Sequence, residues 1–404
     1  MSSNLLVVVD NHLVQTPDGN VWSKGIYDYS FFARYLSAFD EVHIAIRIEQ
    51  TDASHAGFTN LCSGPNVHFL PLPEFRGIKG YVKNFFPFNR LVRTYSRQCD
   101  CAVIRLPSAV GFPFVRQFDG KKPYALEVVI DPWDYAAPGM LKMKFRPLVR
   151  LDWTYKLKTY CKRANGVAYV TRYALQKRYP AGAQTDKTRF ESYYSSANIP
   201  ESFYMEPKKY EKKEMFLLLH VANSISSYVK GHREAIEVVQ NLNSQGMNVT
   251  ICFVGDGPYI EEFLAYAKER NVEDKVKFVG RVSDKEEMKA WMRKVDLCIL
   301  PTHGEGLPRV LIESMAVGTP CVATNVNGIP ELLPEDQMAK VGDVEALTQI
   351  TRRLLSDSDL LTRKSAEAVA KAREYAEDVL QERRSVFYGR LRDEVDRRSM
   401  GKGV

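Results

Sequence analysis

The sequence predicts an α/β fold built from parallel sheets, and three observations support this. Strand-length apolar runs alternate with amphipathic helical segments along most of the 404 residues, a pattern typical of parallel sheets with crossover helices. A chain of this length favours two or three domains. Apolar residues make up 45% of the chain and charged residues 26%, which is ordinary for a soluble globular protein with large cores.

The first half of the chain contains six predicted strands. They span residues 5–9, 42–48, 67–72, 102–106, 124–130 and 166–171. We expect residues 10–24 to form a loop that leaves the C-terminal end of the first strand. Ligands collect at that edge of a parallel sheet, so this loop is a candidate part of the binding site. Apolar residues at helical spacing predict one helix after Gly25 and another over residues 172–179.

The second half repeats the alternation. Strands are predicted at 216–221, 249–254, 276–279, 297–300 and 321–324, with helices at 232–244, 259–270 and 285–294, one ending near 317, and two from 345 to about 391. Prolines and charges gather between residues 198 and 210, which predicts a hinge. The expected parts are a first domain over 1–200, a linker over 201–213, a second domain over 214–375 and a C-terminal helix over 376–404.

The stretch over residues 296–331 carries the strongest chemical signal. A buried strand leads into a glycine-containing loop, and Pro308 fits the first turn of the next helix, where its missing N–H costs nothing. Gly318 accepts the left-handed conformation that ends a helix, and Pro320 prevents continuation. This strand–loop–helix–strand unit presents a helix N-terminus, which is a ready anion site.

Two carboxylates frame that helix N-terminus. Glu305 lies just before the helix and Glu313 lies inside it, with seven residues between them. Glu305 has a simple alternative explanation, because acids favour a helix N-terminus. Glu313 lies among apolar neighbours, where a carboxylate is costly unless it finds hydrogen-bond donors. Sugar or ribose hydroxyls are suitable donors, so a sugar attached to a diphosphate matches all three features.

The segment EGLPRVLIESMAVGTPCVAT, followed by GIPEL, resembles the donor-site signature of retaining glycosyltransferases of family 4, also called glycosyl transferases group 1. The resemblance covers residues 214–375 well and the first half only in layout. It implies the GT-B fold, in which two Rossmann-like domains with parallel sheets face each other across a cleft. It also implies that the C-terminal helix crosses back onto the first domain.

The resemblance assigns roles to residues of the second domain. Glu305 would hold sugar hydroxyls, Glu313 the ribose and Lys230 the donor diphosphate. The family commonly has an arginine where this chain has Asn223, so Arg281 or Arg309 is expected to substitute for it. The remaining donor-binding residues expected from the motif are Gly306, Leu307 and Pro308 of the loop and Arg281 and Val282 near the base.

The first domain offers fewer candidates. Gly25, or Gly19, allows the backbone to approach the phosphate, although each also suits a loop or helix start. The family often has a histidine after the fifth strand, and this chain has none there. We predict that Asp131 is the acceptor-side carboxylate, with an Asx turn before proline as its alternative. Glu127 and His12 remain alternatives for the acceptor role.

We expect no metal ion and no other cofactor. The chain has no Cys/His cluster with zinc spacing. Asp357 and Asp359 have the spacing of a metal motif, but they lie between predicted helices and fit a helix cap better. Lys230 and the helix dipole can supply the positive charge that a cation would otherwise provide.

Positive charge is concentrated in the first domain. Residues 1–200 carry 26 Lys+Arg against 16 Asp+Glu, whereas the remainder carries 30 against 33. Two basic stretches, 75–98 and 140–163, interleave with aromatic residues, which suits an anionic membrane surface. A solvated helix face is the alternative, and no nucleic-acid motif accompanies the stretches. The three phenylalanines expected to insert into lipid are Phe85, Phe86 and Phe88.

These features predict a retaining glycosyltransferase. It would move a sugar from a nucleotide-diphosphate sugar to an acceptor hydroxyl, which we expect to belong to a lipid-linked glycan in surface polysaccharide synthesis. We expect it at the cytoplasmic face of the cell membrane, held peripherally, since no apolar run reaches the ~18 residues of a spanning helix. The alternatives are a catalytically silent GT-B subunit of an assembly complex and a sugar-nucleotide epimerase.

Overall fold

The computed structural model describes residues 4–23, 25, 27–52, 60–136, 145–197 and 199–400. Within these ranges the strands form two sheets, one from residues 4–193 and one from residues 215–339. Lys24, Asn198 and residues 140–144 of the second basic stretch lie outside the described ranges.

The first sheet runs in the order β4-β2-β1-β6-β7-β8-β9. In addition, β3 pairs with β1, and β5 pairs with β3. Its strand pairs are parallel except those made by β2. All six predicted strands are present. The strands are β1 (Asn4–Gln15), β2 (Val21–Ser23), β3 (Glu41–Gln50), β4 (Asn60–Leu61), β5 (Val67–Leu72), β6 (Cys101–Leu106), β7 (Tyr124–Val128), β8 (Gly166–Tyr169) and β9 (Phe190–Tyr193).

The predicted loop over residues 10–24 is corrected by the structure. β1 continues to Gln15 and pairs antiparallel with β2, so much of that segment is a hairpin. Leu13 is buried between partly exposed neighbours. This alternation is typical of a β-strand with one buried face. Gly19 has a φ of +84° in the turn, and this conformation explains the glycine without a ligand.

Helices cover both faces of the first sheet. Side chains of α3, α4 and α6 share one core with the sheet, whereas α1 packs on the other face. The helix predicted after Gly25 is only five residues long, and it continues as a 3-10 turn over Arg34–Ser37. The helices are α1 (Tyr29–Ala33), α2 (Gly77–Lys83), α3 (Phe85–Gln98), α4 (Gly111–Phe118), α5 (Pro132–Tyr135), α6 (Arg146–Arg163) and α7 (Ala174–Arg178).

The second sheet is parallel throughout, in the order β12-β11-β10-β13-β14-β15. Its strands are β10 (Met215–Ser224), β11 (Asn248–Asp256), β12 (Val276–Gly280), β13 (Leu297–Leu300), β14 (Cys321–Thr324) and β15 (Met338–Ala339). The helices are α8 (His232–Ser244), α9 (Ile260–Glu269), α10 (Lys285–Lys294), α11 (Arg309–Ala316), α12 (Val344–Ser356) and α13 (Ser358–Arg373). Pro308 is the N-cap of α11 rather than part of its first turn.

The C-terminal helix α14 (Glu377–Met400) crosses back to the first domain, as predicted. Phe387, Tyr388 and Leu391 are buried in the core that also holds α1, and each such side chain contributes roughly 1.5–3 kcal/mol when fully buried. Three helices follow β15 instead of the two expected, because Asp357 caps a new helix by accepting from the Leu360 N–H. No described helix is both long and apolar enough to cross a bilayer.

Candidate active site

A cavity of about 680 Å³ lies between the two domains. Four predicted donor-binding residues line it: Gly25 from the first domain and Asn223, Val282 and Glu313 from the second. Arg309, one of the two arginines expected to replace the family's missing one, lines the cavity too. Arg281 is exposed at the end of β12 and is not among the lining residues. The structure therefore favours Arg309 as the replacement.

Glu313 reaches this cavity from α11. Burial raises the pKa of its carboxyl group, and the positive charges of Arg309 and Lys285 oppose that shift. Part of its surface stays open to the cavity, and no described residue donates a hydrogen bond to it at bonding distance. Hydroxyl donors would offset the cost of burying this carboxylate, so the role predicted for Glu313 stays a prediction.

Lys230 and Glu305 form an ion pair, which the sequence did not predict. Both side chains are half-buried, with 33% of Lys230 and 14% of Glu305 exposed. The turn that carries the lysine is fixed by Gly231, whose φ is +75° and whose position leaves no room for a Cβ, since that atom would lie 2.0 Å from the Pro301 carbonyl oxygen. Only glycine fits there, so Lys230 is held against the C-terminal end of β13.

The loop before α11 packs between the domains. A Cβ at Gly306 would lie 2.7 Å from the carbonyl oxygen of Val129, just beyond β7. Leu307 and Pro308 are buried as well. Gly306, Leu307 and Pro308 are not among the residues that line the cavity, so their donor-binding role remains a prediction. The loops that leave β7 and β13 touch, which places Glu305 at the domain interface.

Two further hydrogen-bond groups join the domains next to this loop. The Asn327 side-chain amide donates to Asp134 Oδ2 at 2.7 Å and to the Glu305 carbonyl oxygen at 2.6 Å. Glu331 accepts from the backbone N–H groups of Tyr173 and Ala174 at 2.8 and 2.9 Å, and also from that of residue 172. Such charge-assisted bonds are about twice as strong as neutral ones. Sequence analysis missed them, although Glu331 belongs to the quoted GIPEL segment.

Asp131 forms the Asx turn before Pro132 that was the alternative to an acceptor role. It is buried, it accepts from the Trp133 N–H at 2.8 Å as the cap of α5, and it bonds the Tyr179 hydroxyl and the Arg178 guanidinium. Burial raises the pKa of its carboxyl group, and the Tyr179 bond opposes that effect. Because these donors occupy both oxygens, the structure supports the Asx turn and not an acceptor-facing carboxylate. Asp134 is the partly exposed acid of this segment.

The other two acceptor-side candidates are also engaged. Glu127 is buried beside Arg34 and Arg105 and bonds the Tyr388 hydroxyl of α14 at 2.7 Å. Burial alone would raise its pKa, but the two guanidinium groups lower it to about 2. His12 Nδ1 lies 2.7 Å from Glu74 Oε1. Glu127 therefore stabilises the packing of α14, whereas His12 keeps 32% of its side chain exposed.

Within the described ranges, no group of three or more His, Cys, Asp or Glu side chains is arranged to hold a metal ion. Asp357 is a helix cap, as expected. The cationic side chains that line the cavity are Arg34, Lys285, Arg309 and Arg384. Lys230 is not a lining residue and is paired with Glu305.

Comparison with known proteins agrees with this geometry. Residues 216–357 match the family model described as Glycosyl transferases group 1. Protein CapJ of Staphylococcus aureus is 29% identical over 352 residues, which cover 86% of this chain and 85% of that protein. The amylovoran biosynthesis glycosyltransferase AmsK of Erwinia amylovora is 32% identical over 165 residues, covering 37% of this chain and 40% of that protein.

Solved structures show the same fold. A sucrose-phosphate synthase from Thermosynechococcus elongatus superposes with a TM-score of 0.70 at 16% identity, covering 96% of this chain and 99% of its own. HepE of Anabaena, in complex with UDP and glucose, gives a TM-score of 0.63 at 16% identity, covering 94% and 97%. These likenesses confirm the predicted GT-B fold.

Proposed function

We propose that this chain, a glycosyltransferase of the glycosyl transferases group 1 family, transfers a sugar from a nucleotide-diphosphate sugar to an acceptor hydroxyl with retained anomeric configuration. The observation that carries the proposal is the interdomain cavity, which is lined by Glu313 and other predicted donor-binding residues of the second domain and by Gly25 of the first. The relative AmsK is an amylovoran biosynthesis glycosyltransferase, and this supports a polysaccharide product. HepE, which has a similar fold, was solved with UDP and glucose, and this supports a nucleotide donor. A glycan, in lipid-linked form, is the acceptor we propose.

The geometry suggests how the donor binds. Glu313 would accept hydrogen bonds from the ribose hydroxyls, and Arg309 would face the diphosphate. The Lys230–Glu305 pair would open to receive the donor, with the lysine on the phosphate and the carboxylate on the sugar hydroxyls. Negative charge develops on the departing phosphate, and a cation fixed beside it lowers the barrier.

The proposal is tested with a panel of UDP-, GDP-, ADP- and dTDP-sugars. We expect one of them to raise the melting temperature and to be hydrolysed slowly, giving a free sugar whose first-formed anomer, observed by NMR, keeps the donor configuration. A silent subunit would hydrolyse none of them. An epimerase would return a changed nucleotide sugar without any acceptor, and an inverted anomer would contradict retention.

We expect Glu313→Gln to weaken binding of the nucleoside diphosphate by about 1–3 kcal/mol, the worth of a hydrogen bond to a charged group. The unliganded protein should not lose stability, because the variant removes a buried charge that lacks a hydrogen-bond donor. Isothermal calorimetry measures the affinity and thermal melting measures the fold. Glu335→Gln, at an exposed glutamate of the same domain, is the matched control, and equal affinity in both variants would refute the ribose assignment.

The first domain also has an exposed face suited to a membrane, which we call the apolar-basic face. It combines the cations of α2, α3 and α6 with large exposed apolar side chains, and Phe86 is 84% exposed. The prediction that Phe88 inserts into lipid is wrong, because Phe88 is fully buried in the core. The exposed apolar residues of this face are Ile78, Val82, Phe85, Phe86, Phe145, Leu148, Leu151 and Tyr155.

This face includes helices that begin on the cleft side of the domain, since α2 and α6 follow the segments that leave the C-terminal ends of β5 and β7. We propose that it rests on the anionic inner surface of the cell membrane, with the enzyme on the cytoplasmic side. Apolar side chains would insert at the headgroup level while nearby cations pair with lipid phosphates. A lipid-linked acceptor would then enter the cleft from the membrane.

Changing Lys83, Arg90 and Arg93 to Glu should abolish flotation with anionic liposomes, because each nearby cation contributes roughly 1 kcal/mol. Binding of the unchanged protein should fall as salt shortens the screening length, ~10 Å at 0.1 M. The control changes three exposed cations of the second domain, Lys268, Lys340 and Arg352, to Glu. Equal binding to neutral vesicles, or equal loss in the control, would leave the solvated-face explanation.

A further inference from the structure

The one-turn helix α5 places two exposed aromatic rings at the C-terminal edge of the first sheet. Trp133 is 37% exposed and Tyr135 is 38% exposed. Each ring is supported from behind. The Arg150 guanidinium lies 3.7 Å from the centroid of the Trp133 ring, and the ring of Tyr135 is parallel to that of Trp153, at 2° and 6.1 Å between centroids. The two rings are therefore held in fixed orientations while part of their surface stays open.

The helix that carries these rings is linked to the loop of Glu305 by hydrogen bonds. Asp134, between them in sequence, accepts from the Asn327 amide at 2.7 Å, and the same amide donates to the Glu305 carbonyl oxygen at 2.6 Å. A chain of two hydrogen bonds thus separates α5 from the residue proposed to hold the donor sugar. On its other side, Tyr135 lies near Asp10 at the end of the regular part of β1, close enough for that carboxylate to add to the effect of burial in raising the tyrosine pKa.

The charges around these rings indicate what they bind. Asp134, 23% exposed, is a carboxylate that accepts hydrogen bonds from hydroxyl groups, and Arg178, 42% exposed, lies 3.4 Å from it. Asp10 is paired with Arg47. Fixed aromatic surface with a few convergent polar groups is the composition of a specific small-molecule site. Sugar rings have apolar C–H faces that pack on aromatic rings and hydroxyl edges that bond carboxylates.

We infer that Trp133 and Tyr135 form a platform for a sugar ring of the acceptor, and that Asp134 bonds one of its hydroxyl groups. This inference rests on the proposed transferase function and deepens it by naming the acceptor subsite. It also replaces Asp131, whose oxygens are occupied, with the acid three residues later. The Asn327 amide donates to both Asp134 and the Glu305 carbonyl oxygen. An acceptor sugar bonded to Asp134 would therefore lie close to the loop that is proposed to hold the donor sugar.

The test uses methyl and p-nitrophenyl glycosides of glucose, galactose and N-acetylglucosamine as acceptor probes. The full chain is assayed with the donor that it hydrolyses. Trp133→Ala should raise the KM for the transferred glycoside at least tenfold while slow donor hydrolysis and the KM for the donor stay unchanged. Trp133→Phe should recover part of the loss, and Asp134→Asn should lower transfer without changing hydrolysis. Saturation-transfer NMR with the same glycosides gives a second readout that needs no turnover.

Met215→Ala is the control, since Met215 is a large exposed apolar residue at the start of β10 and takes part in neither proposed binding surface. Melting curves of all variants separate misfolding from lost binding. An unchanged acceptor KM and unchanged NMR contacts in Trp133→Ala would overturn the platform while leaving the transferase function intact. Failure of the unaltered protein to hydrolyse or transfer from any donor would overturn the proposed function, and the platform with it.

Discussion

Replacing Lys230 with alanine is expected to lower kcat by about 10²–10³, the usual cost of removing a group that stabilises transition-state charge. The lysine is fixed by the adjoining Gly231 turn and ion-paired with Glu305, so its ammonium group is positioned before the donor arrives. Its charge matters most when the bond to the phosphate breaks, and donor affinity should therefore fall less than turnover. Single-turnover rates at saturating donor measure the effect directly.

Lys230→Arg should keep part of the activity, because it preserves charge but not the compact ammonium geometry. Lys340→Ala, at an exposed lysine of the same domain, should change nothing. Turnover by the unaltered enzyme should persist in excess EDTA, because Lys230, Arg309 and the N-terminus of α11 supply positive charge. A loss smaller than tenfold in Lys230→Ala, or complete inhibition by EDTA that Mg²⁺ or Mn²⁺ reverses, would contradict the proposed role.

Periodicity predicted the sheets because it reflects local burial. The runs found as β6, β7 and β13 are buried at every position and are apolar except at Arg105 and Glu127, and such a run can be recognised in the sequence. Boundaries were less accurate where a local cap decides them. The apolar pattern continues through residue 357, and only the Asp357 side chain bonding the Leu360 N–H divides the helices there.

Site residues were predictable where a motif fixes them and not where distant segments meet. Glu313 and Val282 line the cavity as the motif implies. Asp131 and Asp134 are both acids after one strand, and the sequence does not show that Arg178 and Tyr179 occupy the first of them. The bonds between Glu331 and the start of α7 join residues 157 to 159 positions apart. A local sequence pattern cannot predict contacts over such a separation.

Phe88 shows a different kind of error, because its signal was present and was overlooked. Phe88, Val92 and Ser96 recur at a spacing of four residues, and all three are buried on one side of α3. That spacing defines the core-facing stripe of a helix. Phe86 falls outside the stripe and is 84% exposed, whereas Phe85 is the first residue of the stripe and is 44% exposed at the helix start. The helical period would therefore have separated Phe88 from Phe86 and grouped it with Phe85.

The buried network at Glu127 holds the C-terminal helix to the first domain. Glu127 on β7 lies 2.5 Å from Arg105 Nη1 and 3.2 Å from Arg34 Nη2, and its other oxygen accepts from the Tyr388 and Tyr194 hydroxyls at 2.7 and 3.1 Å. The first turns of the same helix, α14, line the interdomain cavity. Loss of the network should therefore weaken both the fold and the geometry of the site.

Glu127→Gln is expected to destabilise the protein by about 3–5 kcal/mol, because it leaves two buried guanidinium groups without their counter-charge. The pKa of Glu127 is about 2 in the folded protein and roughly 4.3 in an unfolded chain. A lowered folded-state pKa means that the carboxylate contributes its full stability above the unfolded value and loses it as pH falls toward 2. The unaltered protein should thus lose stability more steeply than the variant across that interval.

Urea unfolding at pH 7, 5, 4 and 3 tests both parts of this prediction. Tyr388→Phe is the graded control, since it removes one hydroxyl donor and keeps the charge balance, and it should cost only about 0.5–1.5 kcal/mol. The difference between unaltered protein and Glu127→Gln should be largest at pH 7 and shrink toward pH 3, because protonation of Glu127 in the unfolded chain removes the advantage of the charged form. A difference that stays constant with pH would show that packing, and not the charge of Glu127, holds α14 in place.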